Sequence, residues 1–231
     1  MKAIERIKTG ITELDQITGG IPKGRSTILI GGPGTGKTIF ALQAAVTSAR
    51  EGLNVTYLCV EESPEDIRHQ AAVLGWNLKT YEEKGILRMV DMVAPRAMNT
   101  LERKRAGSSQ RKMDLFTIFN KMDDDTDLVV VDSIGCFIDP DIQIFRDQFD
   151  LILYQLRKKN VTSIIIMDAS TSSEMKDIGM FLAYSAIRME KKENTFRGRR
   201  ERIMDIVKMR STDIPLQPVQ YEITDRGIVI I

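Results

Sequence analysis

One stretch of eight residues has the residue types and the spacing of a phosphate-binding loop. Residues 31–38 read Gly-Gly-Pro-Gly-Thr-Gly-Lys-Thr, which matches the pattern G-x-x-x-x-G-K-[ST]. An apolar run at 26–30 precedes the stretch, and a helical pattern begins at Ile39. At such a strand-to-helix junction, successive backbone N–H groups and the positive end of the helix can surround phosphate oxygens. An ordinary glycine-rich turn would not require all of these positions, so we predict that the chain binds a nucleoside triphosphate.

Two side chains at the end of this loop have separate expected roles. Lys37 can reach the β- and γ-phosphates and so contribute to catalysis, and the hydroxyl of Thr38 can bind Mg²⁺. A nucleoside triphosphate and Mg²⁺ are therefore the expected cofactors. The nucleotide contacts predicted for this segment are Gly32, Pro33, Gly34, Thr35, Gly36, Lys37, Thr38 and Ile39.

A second candidate for the magnesium site is the acid that ends a buried strand. Residues 127–132 form a near-continuous apolar run, which is typical of a strand covered on both faces. Asp132, at the carboxyl end of this run, would point into the ligand crevice of an open α/β sheet, where it could hold Mg²⁺. The alternative is that Asp132 is a turn or helix-capping residue before Ser133.

Two adjacent acids follow another apolar strand pattern. Glu61 and Glu62 come directly after residues 55–60 and would lie in the same crevice. Hydrolysis needs a group that orients or deprotonates water, and a positioned carboxylate can do this. Because side chains alternate along a strand, one acid could act directly and the other indirectly. The alternative is that both are solvated charges at the start of a helix from Pro64, where acids are also favoured.

Short apolar strands alternate with helical patterns over most of the chain, which indicates βαβ units and a mainly parallel sheet with helices on both faces. Beyond residue 183, strand patterns follow one another without helices and predict an antiparallel C-terminal extension. We interpret residues 1–231 as a single α/β domain. The predicted strands are 26–31, 53–60, 86–93, 127–132, 162–167, 185–190, 202–209, 218–223 and 227–231, and the predicted helices are 37–50, 64–74, 113–122 and 142–159.

Composition excludes several other classes of protein. The net charge of +1 predicts neither a nucleic-acid coat nor a membrane-bound surface. One histidine and two cysteines leave little material for zinc sites or a Ser-His-Asp triad. Cys59 and Cys136 lie in apolar strand-like surroundings, so we expect reduced core thiols in a cytoplasmic protein. We expect no leader sequence and no membrane span, since no apolar run reaches about 18 residues.

Several further segments form a family pattern together with the loop. They are 9–15 (Thr-Gly-Ile-Thr-Glu-Leu-Asp), 19–24 (Gly-Gly-Ile-Pro-Lys-Gly), 61–67 (Glu-Glu-Ser-Pro-Glu-Asp-Ile), 75–76 (Gly-Trp), 130–133 (Val-Val-Asp-Ser), 208–212 (Lys-Met-Arg-Ser-Thr) and 223–228 (Ile-Thr-Asp-Arg-Gly-Ile). This pattern resembles the KaiC and RadA branch of the RecA superfamily. It is most similar to the single-domain KaiC-like proteins, which are also described as RadA paralogues, and it extends over nearly the whole chain.

The resemblance implies a RecA-like P-loop NTPase whose nucleotide is ATP and that assembles as a hexameric ring or a filament, with nucleotide at the subunit boundaries. It implies that Glu61 and Glu62 are the catalytic carboxylates, and that Lys208 and Arg210 reach the γ-phosphate bound by a neighbouring subunit. An arginine in this role can raise the rate by about 10³- to 10⁵-fold. Without the resemblance, Lys208 and Arg210 would be interpreted as solvent-facing charges on an edge strand. The further contacts that it implies with the neighbour's nucleotide are Thr212, Thr224 and Asp225.

Three positions depart from the family pattern. Ser211 stands where the family usually has glycine, and Ile214 where it usually has histidine. Asp168 follows the strand at 162–167, at a position where RecA-like proteins often have a glutamine that senses the γ-phosphate. An ionised acid cannot donate a hydrogen bond to phosphate, so we expect slow turnover.

Local charge bears on three classes of function. The loops that would follow single-stranded DNA in a recombinase correspond to 137–141 and 169–177, and they contain one lysine and several acids. This composition disfavours a groove that binds a phosphate backbone. Two basic stretches, 96–112 and 197–202, could be surface charge or could bind nucleic acid or an acidic protein. We favour an oligomeric ATPase with a regulatory or signalling role; the alternatives are a DNA-repair accessory of a recombinase and a nucleotide-binding scaffold with negligible turnover.

Overall fold

A nine-stranded sheet dominates the computed structural model, which describes residues 4–93, 115–169, 171–194 and 198–231. The strands are β1 (Arg6–Ile7), β2 (Ile21–Pro22), β3 (Ser26–Gly31), β4 (Val55–Cys59), β5 (Leu87–Asp91), β6 (Leu128–Asp132), β7 (Thr162–Met167), β8 (Ser185–Asn194), β9 (Arg199–Met209), β10 (Val219–Thr224) and β11 (Gly227–Ile230). The helices are α1 (Thr12–Thr18), α2 (Lys37–Arg50), α3 (Pro64–Val73), α4 (Lys79–Glu83), α5 (Ile142–Lys158) and α6 (Ser173–Leu182), with 3₁₀ turns at Leu115–Lys121 and Gly135–Phe137.

The strand order of the large sheet is β11-β10-β9-β8-β3-β7-β6-β4-β5. All pairs from β8 to β5 are parallel. The pairs from β8 to β11 are antiparallel. This confirms the predicted fold class, a mainly parallel α/β sheet with a C-terminal antiparallel extension. A separate two-stranded ladder joins β1 to β2.

Alternation of side chains along β3 explains why helices cover both faces of the sheet. Leu29 belongs to the apolar cluster that contains Phe40 of α2, whereas Ile28 belongs to the cluster that contains Phe149 of α5. Because each successive side chain enters one core or the other, the central strands have continuous apolar sequences. The polar groups available for chemistry therefore lie where these strands end, and the carboxyl ends of β3, β4, β6 and β7 share one edge.

The structure differs from the sequence expectations in several places. Helix α6 starts at Ser173, within the segment expected to be a loop up to residue 177, because Ser172 caps it by accepting a hydrogen bond from the Met175 N–H at 3.3 Å. The helix predicted over 113–122 is a 3₁₀ turn in its described part. Strands β8 and β9 form a longer hairpin than expected, since their pairing continues to Asn194 opposite Arg199. The basic stretch 96–112, Arg197 and Ser170 lie outside the described residues. The sequence patterns did not predict α1, α4 or the β1–β2 pair.

Among the described residues, no helix combines the length and the apolar character needed to cross a bilayer.

Candidate nucleotide-binding site

The glycine-rich loop joins β3 to α2 and is closed by two hydrogen bonds to the same carbonyl. The Thr35 hydroxyl donates to the Gly32 oxygen at 2.9 Å, and Lys37 Nζ donates to it at 3.0 Å. Gly34 and Gly36 have φ angles of 68° and 95°, a region that favours glycine. The loop thus has the strand–loop–helix geometry that was expected of a phosphate-binding segment.

The expected magnesium ligands lie together at the end of β6. Asp132 is only 7% exposed and accepts a 2.8 Å hydrogen bond from the Tyr57 hydroxyl. Burial raises the pKa of the Asp132 carboxyl, and the hydrogen bond from Tyr57 and the nearby polar side chain of Thr38 oppose that change.

These donors fit Mg²⁺ bound together with phosphate. Among the described residues no group of three or more His, Cys, Asp or Glu side chains could form a metal cage by itself. Mg²⁺ in nucleotide sites is instead held by one or two protein oxygens, with phosphate oxygens and water completing its octahedron. The hydroxyl of Thr38 and the carboxylate of Asp132 supply such a pair of hard oxygen ligands.

Glu61 lies across the crevice from Lys37, in contact with the loop that follows β6. The Ser133 hydroxyl lies 2.7 Å from Glu61 Oε1, to which it donates, and 3.2 Å from Asp168 Oδ2. The pKa of Glu61 is raised to about 7, first by its hydrogen bond with Asp168 and then by burial. A carboxylate with this pKa is matched to proton abstraction near neutral pH.

Glu62 is placed differently from its neighbour. Its Oε2 accepts a hydrogen bond from Gln70 Nε2, which belongs to α3. The N-terminus of α3 is capped by Ser63, whose hydroxyl accepts from the Asp66 N–H at 3.2 Å. Capping of this helix therefore occupies Ser63 rather than either glutamate, and only Glu61 of the pair faces Ser133 and Asp168.

Lys37 is surrounded by negative charge on the side of β4, β6 and β7. Burial lowers the pKa of its ammonium, while Asp132, Asp168 and Glu61 act in the opposite direction. The three acids come from three strand ends, as the parallel sheet requires. A terminal phosphate seated at Lys37 would therefore face the acids that could hold Mg²⁺ and orient water.

Lys208 and Arg210 lie at the opposite edge of the sheet. Lys208 pairs with Ala186, which pairs with Ile28, so its backbone lies two strands from β3 and is set back from the end of β3 by three residues, about 10 Å along the strand direction. Lys208 Nζ donates to the carbonyls of Met180 at 2.6 Å and Phe181 at 2.9 Å, at the end of α6. Burial, and then the charge of Arg210, lower the pKa of Lys208 to about 8.

Thr212 is at this same edge. Its hydroxyl accepts a 2.7 Å hydrogen bond from Arg6, whose guanidinium also donates to the Ser211 carbonyl at 3.1 Å. Ser211 has a φ of 57°, in the left-handed region that glycine adopts more readily. The serine at this departure from the family pattern is held by a 3.0 Å hydrogen bond with the Tyr184 hydroxyl.

Thr224 and Asp225 form the turn between β10 and β11, on the same edge as the P-loop. Strand β10 is antiparallel to β9 and thus parallel to β3, which brings its carboxyl end to that edge. A Cβ on Gly36 would come 2.8 Å from Ile223 Cδ1, so the segment before the turn packs against the loop. The turn lies beside the P-loop of its own chain, whereas the resemblance implied a contact with a neighbour's nucleotide.

Three side chains of the site were not singled out from the sequence. Ser133 directly follows the candidate acid Asp132. Tyr57 precedes Glu61 by four residues, so the alternation of side chains along a strand could have indicated that Tyr57 and Glu61 share a face. Tyr221 donates its hydroxyl hydrogen to the Thr35 carbonyl across 186 residues of sequence. No local sequence signal indicates that contact.

Comparison with known proteins now identifies the family. The family model described as "ATPase: KaiC" matches residues 7–231. The chain belongs to the KaiC family of ATPases. It is 30% identical over 98% of its length to a UPF0273 protein of Aeropyrum pernix, 94% of which is covered, and 29% identical over 98% to a UPF0273 protein of Thermotoga maritima, 96% of which is covered.

A solved structure agrees with this KaiC-family assignment. The crystal structure of a KaiC-like protein from the hyperthermophilic archaeon Pyrococcus horikoshii superposes with a TM-score of 0.76, at 27% identity, covering 99% of both chains. The predicted family and the RecA-like fold are therefore confirmed. Membership in a KaiC ATPase family also supports nucleotide binding by the loop at residues 31–38.

Proposed function

We propose that this KaiC-family protein binds ATP with Mg²⁺ and hydrolyses it slowly, in a homo-oligomer whose nucleotides lie between subunits. The observation that supports this most directly is the arrangement around Lys37. Asp132 lies near the P-loop residue Thr38, and Glu61 is held by Ser133 on the same side of the lysine. Phosphate binding, metal binding and water activation thus have separate groups within one crevice.

In this proposal each residue of the crevice has one task. The backbone of residues 32–39 and the ammonium of Lys37 bind the β- and γ-phosphates. Thr38 and Asp132 hold Mg²⁺, which neutralises charge on the phosphate oxygens. Glu61 accepts a proton from the attacking water, and Glu62 stabilises the adjoining segment through Gln70 of α3. Thr224 and Asp225 contact the nucleotide of their own chain.

Assembly is proposed because Lys208, Arg210 and Thr212 lie far from the P-loop of their own chain. A neighbouring subunit that packs its P-loop edge against this edge would bring them to its γ-phosphate. Arg210 lines an open cavity of about 370 Å³ at this edge, and the adjacent Phe181 is 67% exposed. Leu151 and Tyr154, which line the same cavity, are also exposed, and a group of exposed apolar side chains is typical of an interaction surface.

Slow turnover follows from two contacts. Asp168 is held at the Ser133 hydroxyl together with Glu61, so a carboxylate stands where a donor to the γ-phosphate would act. Lys208 Nζ donates hydrogen bonds to the Met180 and Phe181 carbonyls, and these bonds must break before the ammonium can reach a neighbour's phosphate. A slow, assembly-dependent ATPase suits a regulatory or signalling role in the cytoplasm better than a motor.

The experiment that tests the proposal measures assembly and hydrolysis on one sample. Native mass and phosphate release are recorded with ATP, with and without Mg²⁺, and with and without single-stranded DNA. We expect an oligomer and Mg²⁺-dependent phosphate release that DNA leaves unchanged. A stable oligomer that releases no phosphate would instead support the ATP-dependent scaffold, and stimulation by DNA would support the DNA-repair accessory. A protein that does not bind ATP would overturn the proposal.

A further inference from the structure

A row of three paired residues lies beside the P-loop, on the side away from the acids. Lys191 of β8 pairs with Arg202 of β9, which pairs with Tyr221 of β10. Residues directly opposite one another in adjacent strands project to the same face. Tyr221 is buried and donates its hydroxyl hydrogen to the Thr35 carbonyl. The row therefore faces the P-loop.

Lys191 approaches the loop most closely. An ideal Cβ built on Gly34 would come 2.5 Å from Lys191 Nζ, and Gly34 has a φ of 68°. Any larger residue at position 34 would displace this ammonium, so glycine here allows both the turn and the close approach of the lysine. Lys191 is itself an exposed residue, which leaves its charged end accessible to a ligand seated in the loop.

Arg202 adds a second positive charge on this face, directly opposite Lys191. Its Nε is buried and has no hydrogen-bond partner within the described part of the chain. Like charges directly opposite each other in a ladder are destabilising, and a buried unpaired donor is costly. An anion bound between the two strands and the loop would relieve both penalties.

The acids next to these residues in sequence are directed elsewhere. The Glu190 carboxylate forms an ion pair with Lys192 on the same strand at 3.4 Å, and the Glu201 carboxylate forms one with Arg199 at 3.6 Å. Alternation places Glu190 and Lys192 on the face opposite to Lys191. The ion pairs of Glu190 and of Glu201 therefore lie on the outer face, whereas Lys191 and Arg202 lie on the face of the P-loop, which they share with Glu193 and Arg200 nearer the tip of the hairpin.

The sheet order indicates which part of a bound nucleotide these cations meet. Asp132, Asp168 and Glu61 come from strands on the β7 side of β3, so the reactive terminal phosphate must face that side. Lys191 stands on β8, on the other side of β3. We propose that Lys191, reinforced by the charge of Arg202, binds the phosphate nearest the nucleoside in the same chain's nucleotide site.

The inference rests on the proposed ATP binding and is tested with Lys191→Ala. Titration calorimetry with ATP and with ADP compares this variant with the parent protein, Lys191→Arg and the control Lys192→Ala. We expect Lys191→Ala to lower the affinity for both nucleotides by about five- to tenfold, because a charge-assisted contact to an exposed phosphate is lost. Lys191→Arg should retain most of the affinity, and Lys192→Ala all of it.

The outcomes separate the inference from the proposed function. If the parent binds no nucleotide, the proposed function itself fails. If the parent binds ATP, Lys37→Ala abolishes binding and Lys191→Ala binds both nucleotides as tightly as the parent, the inference alone is wrong. A lower affinity for ATP with an unchanged affinity for ADP would place Lys191 at the terminal phosphate and overturn its assignment to the phosphate nearest the nucleoside. Thermal unfolding of Lys191→Ala should occur no earlier than in the parent, since a repulsion has been removed.

Discussion

The Tyr57 hydroxyl donates a 2.8 Å hydrogen bond to Oδ2 of Asp132, and both side chains are buried, one in the middle of β4 and the other at the end of the neighbouring β6. The phenol cannot act as a competing anion, because burial, followed by the charge of Asp132, raises its pKa well above the usual value. Tyr57 therefore remains a donor and fixes one oxygen of Asp132. This contact holds the Asp132 carboxylate in place near Thr38 of the P-loop.

Tyr57→Phe should reveal this orientation. The variant leaves an oxygen of a buried carboxylate without its donor, so we expect a loss of about 1–3 kcal/mol in the free energy of unfolding. Urea denaturation measures this loss, with Tyr184→Phe as a control because the Tyr184 hydroxyl bonds to Ser211 at an exposed site. Equal losses of unfolding free energy in the two variants would show that the hydrogen bond to Asp132 contributes no more to stability than the exposed one to Ser211.

Lys37→Ala should abolish ATP binding and leave the fold intact. The lysine supplies the side-chain cation that reaches the β- and γ-phosphates, and its own hydrogen bond in the free protein is only to the Gly32 carbonyl. Calorimetry measures the affinity and circular dichroism the fold, with the exposed Lys84→Ala as a charge-matched control. Unchanged affinity for ATP in Lys37→Ala would contradict the role assigned to the loop.

The two adjacent glutamates should differ when they are changed singly. Glu61→Gln removes the proton acceptor, so we expect ATP to remain bound and phosphate release to fall by at least about tenfold, within the usual range for general-base catalysis. Glu62→Gln keeps a side chain that can bond to Gln70 and should reduce the rate much less. If Glu62→Gln is the slower variant, the catalytic roles of the two residues must be exchanged.

The pH dependence of turnover should follow Glu61. Its folded-state pKa of about 7 lies above the ordinary 4.5, so the basic form accumulates only as pH rises through 7, and the rate should rise with it. The charged groups that face it are Asp168, Asp132 and Lys37. Asp168→Asn removes the largest cause of the shift and should move the midpoint of the profile to lower pH. The same raised pKa means that the stability contributed by protonated Glu61 is lost as pH rises from about 4.5 to 7.

Sequence alone predicted which candidate site residues the structure brings to one edge of the sheet, because local rules govern their placement. The P-loop is contiguous, and Asp132 and Glu61 each end an apolar strand, so the parallel topology was enough to bring them to one edge. The relation between Lys208 and α6, or between Tyr221 and Thr35, depends on strand register and helix docking over long separations. These are set by tertiary packing, which leaves no periodic signal in the chain.

The start of α6 illustrates the same limit. Residues 169–177 are rich in serine, threonine and acids, a composition typical of loops. The helix forms because Ser172 caps it and Met175 and Gly179 pack into the core, with a Cβ on Gly179 only 2.5 Å from Met167 Cε. Burial of Met175 and Gly179 thus outweighs the polar composition of the segment. Two apolar positions near the start of a helix are too few to show a helical period in the sequence.

The last prediction concerns assembly. Arg210→Ala should reduce phosphate release and leave ATP binding by the same chain unchanged, because Arg210 lies at the edge opposite to its own P-loop. Within its chain Arg210 contacts the Phe181 carbonyl at 3.4 Å and is an exposed residue, so its loss should cost little stability. Calorimetry and thermal unfolding measure both properties before activity is compared.

Mixing two inactive variants then shows whether Arg210 acts across a boundary. Arg210→Ala chains keep an intact P-loop, and Lys37→Ala chains keep an intact Arg210. In a mixed oligomer some boundaries join the intact P-loop of one variant to the intact Arg210 of the other, so phosphate release should partly return. Mass spectrometry of differently labelled chains verifies that subunits exchange. If they exchange and no activity returns, Arg210 does not complete a neighbour's site, and the serine at 211, held by Tyr184, becomes the structural reason to examine for a different orientation of this edge.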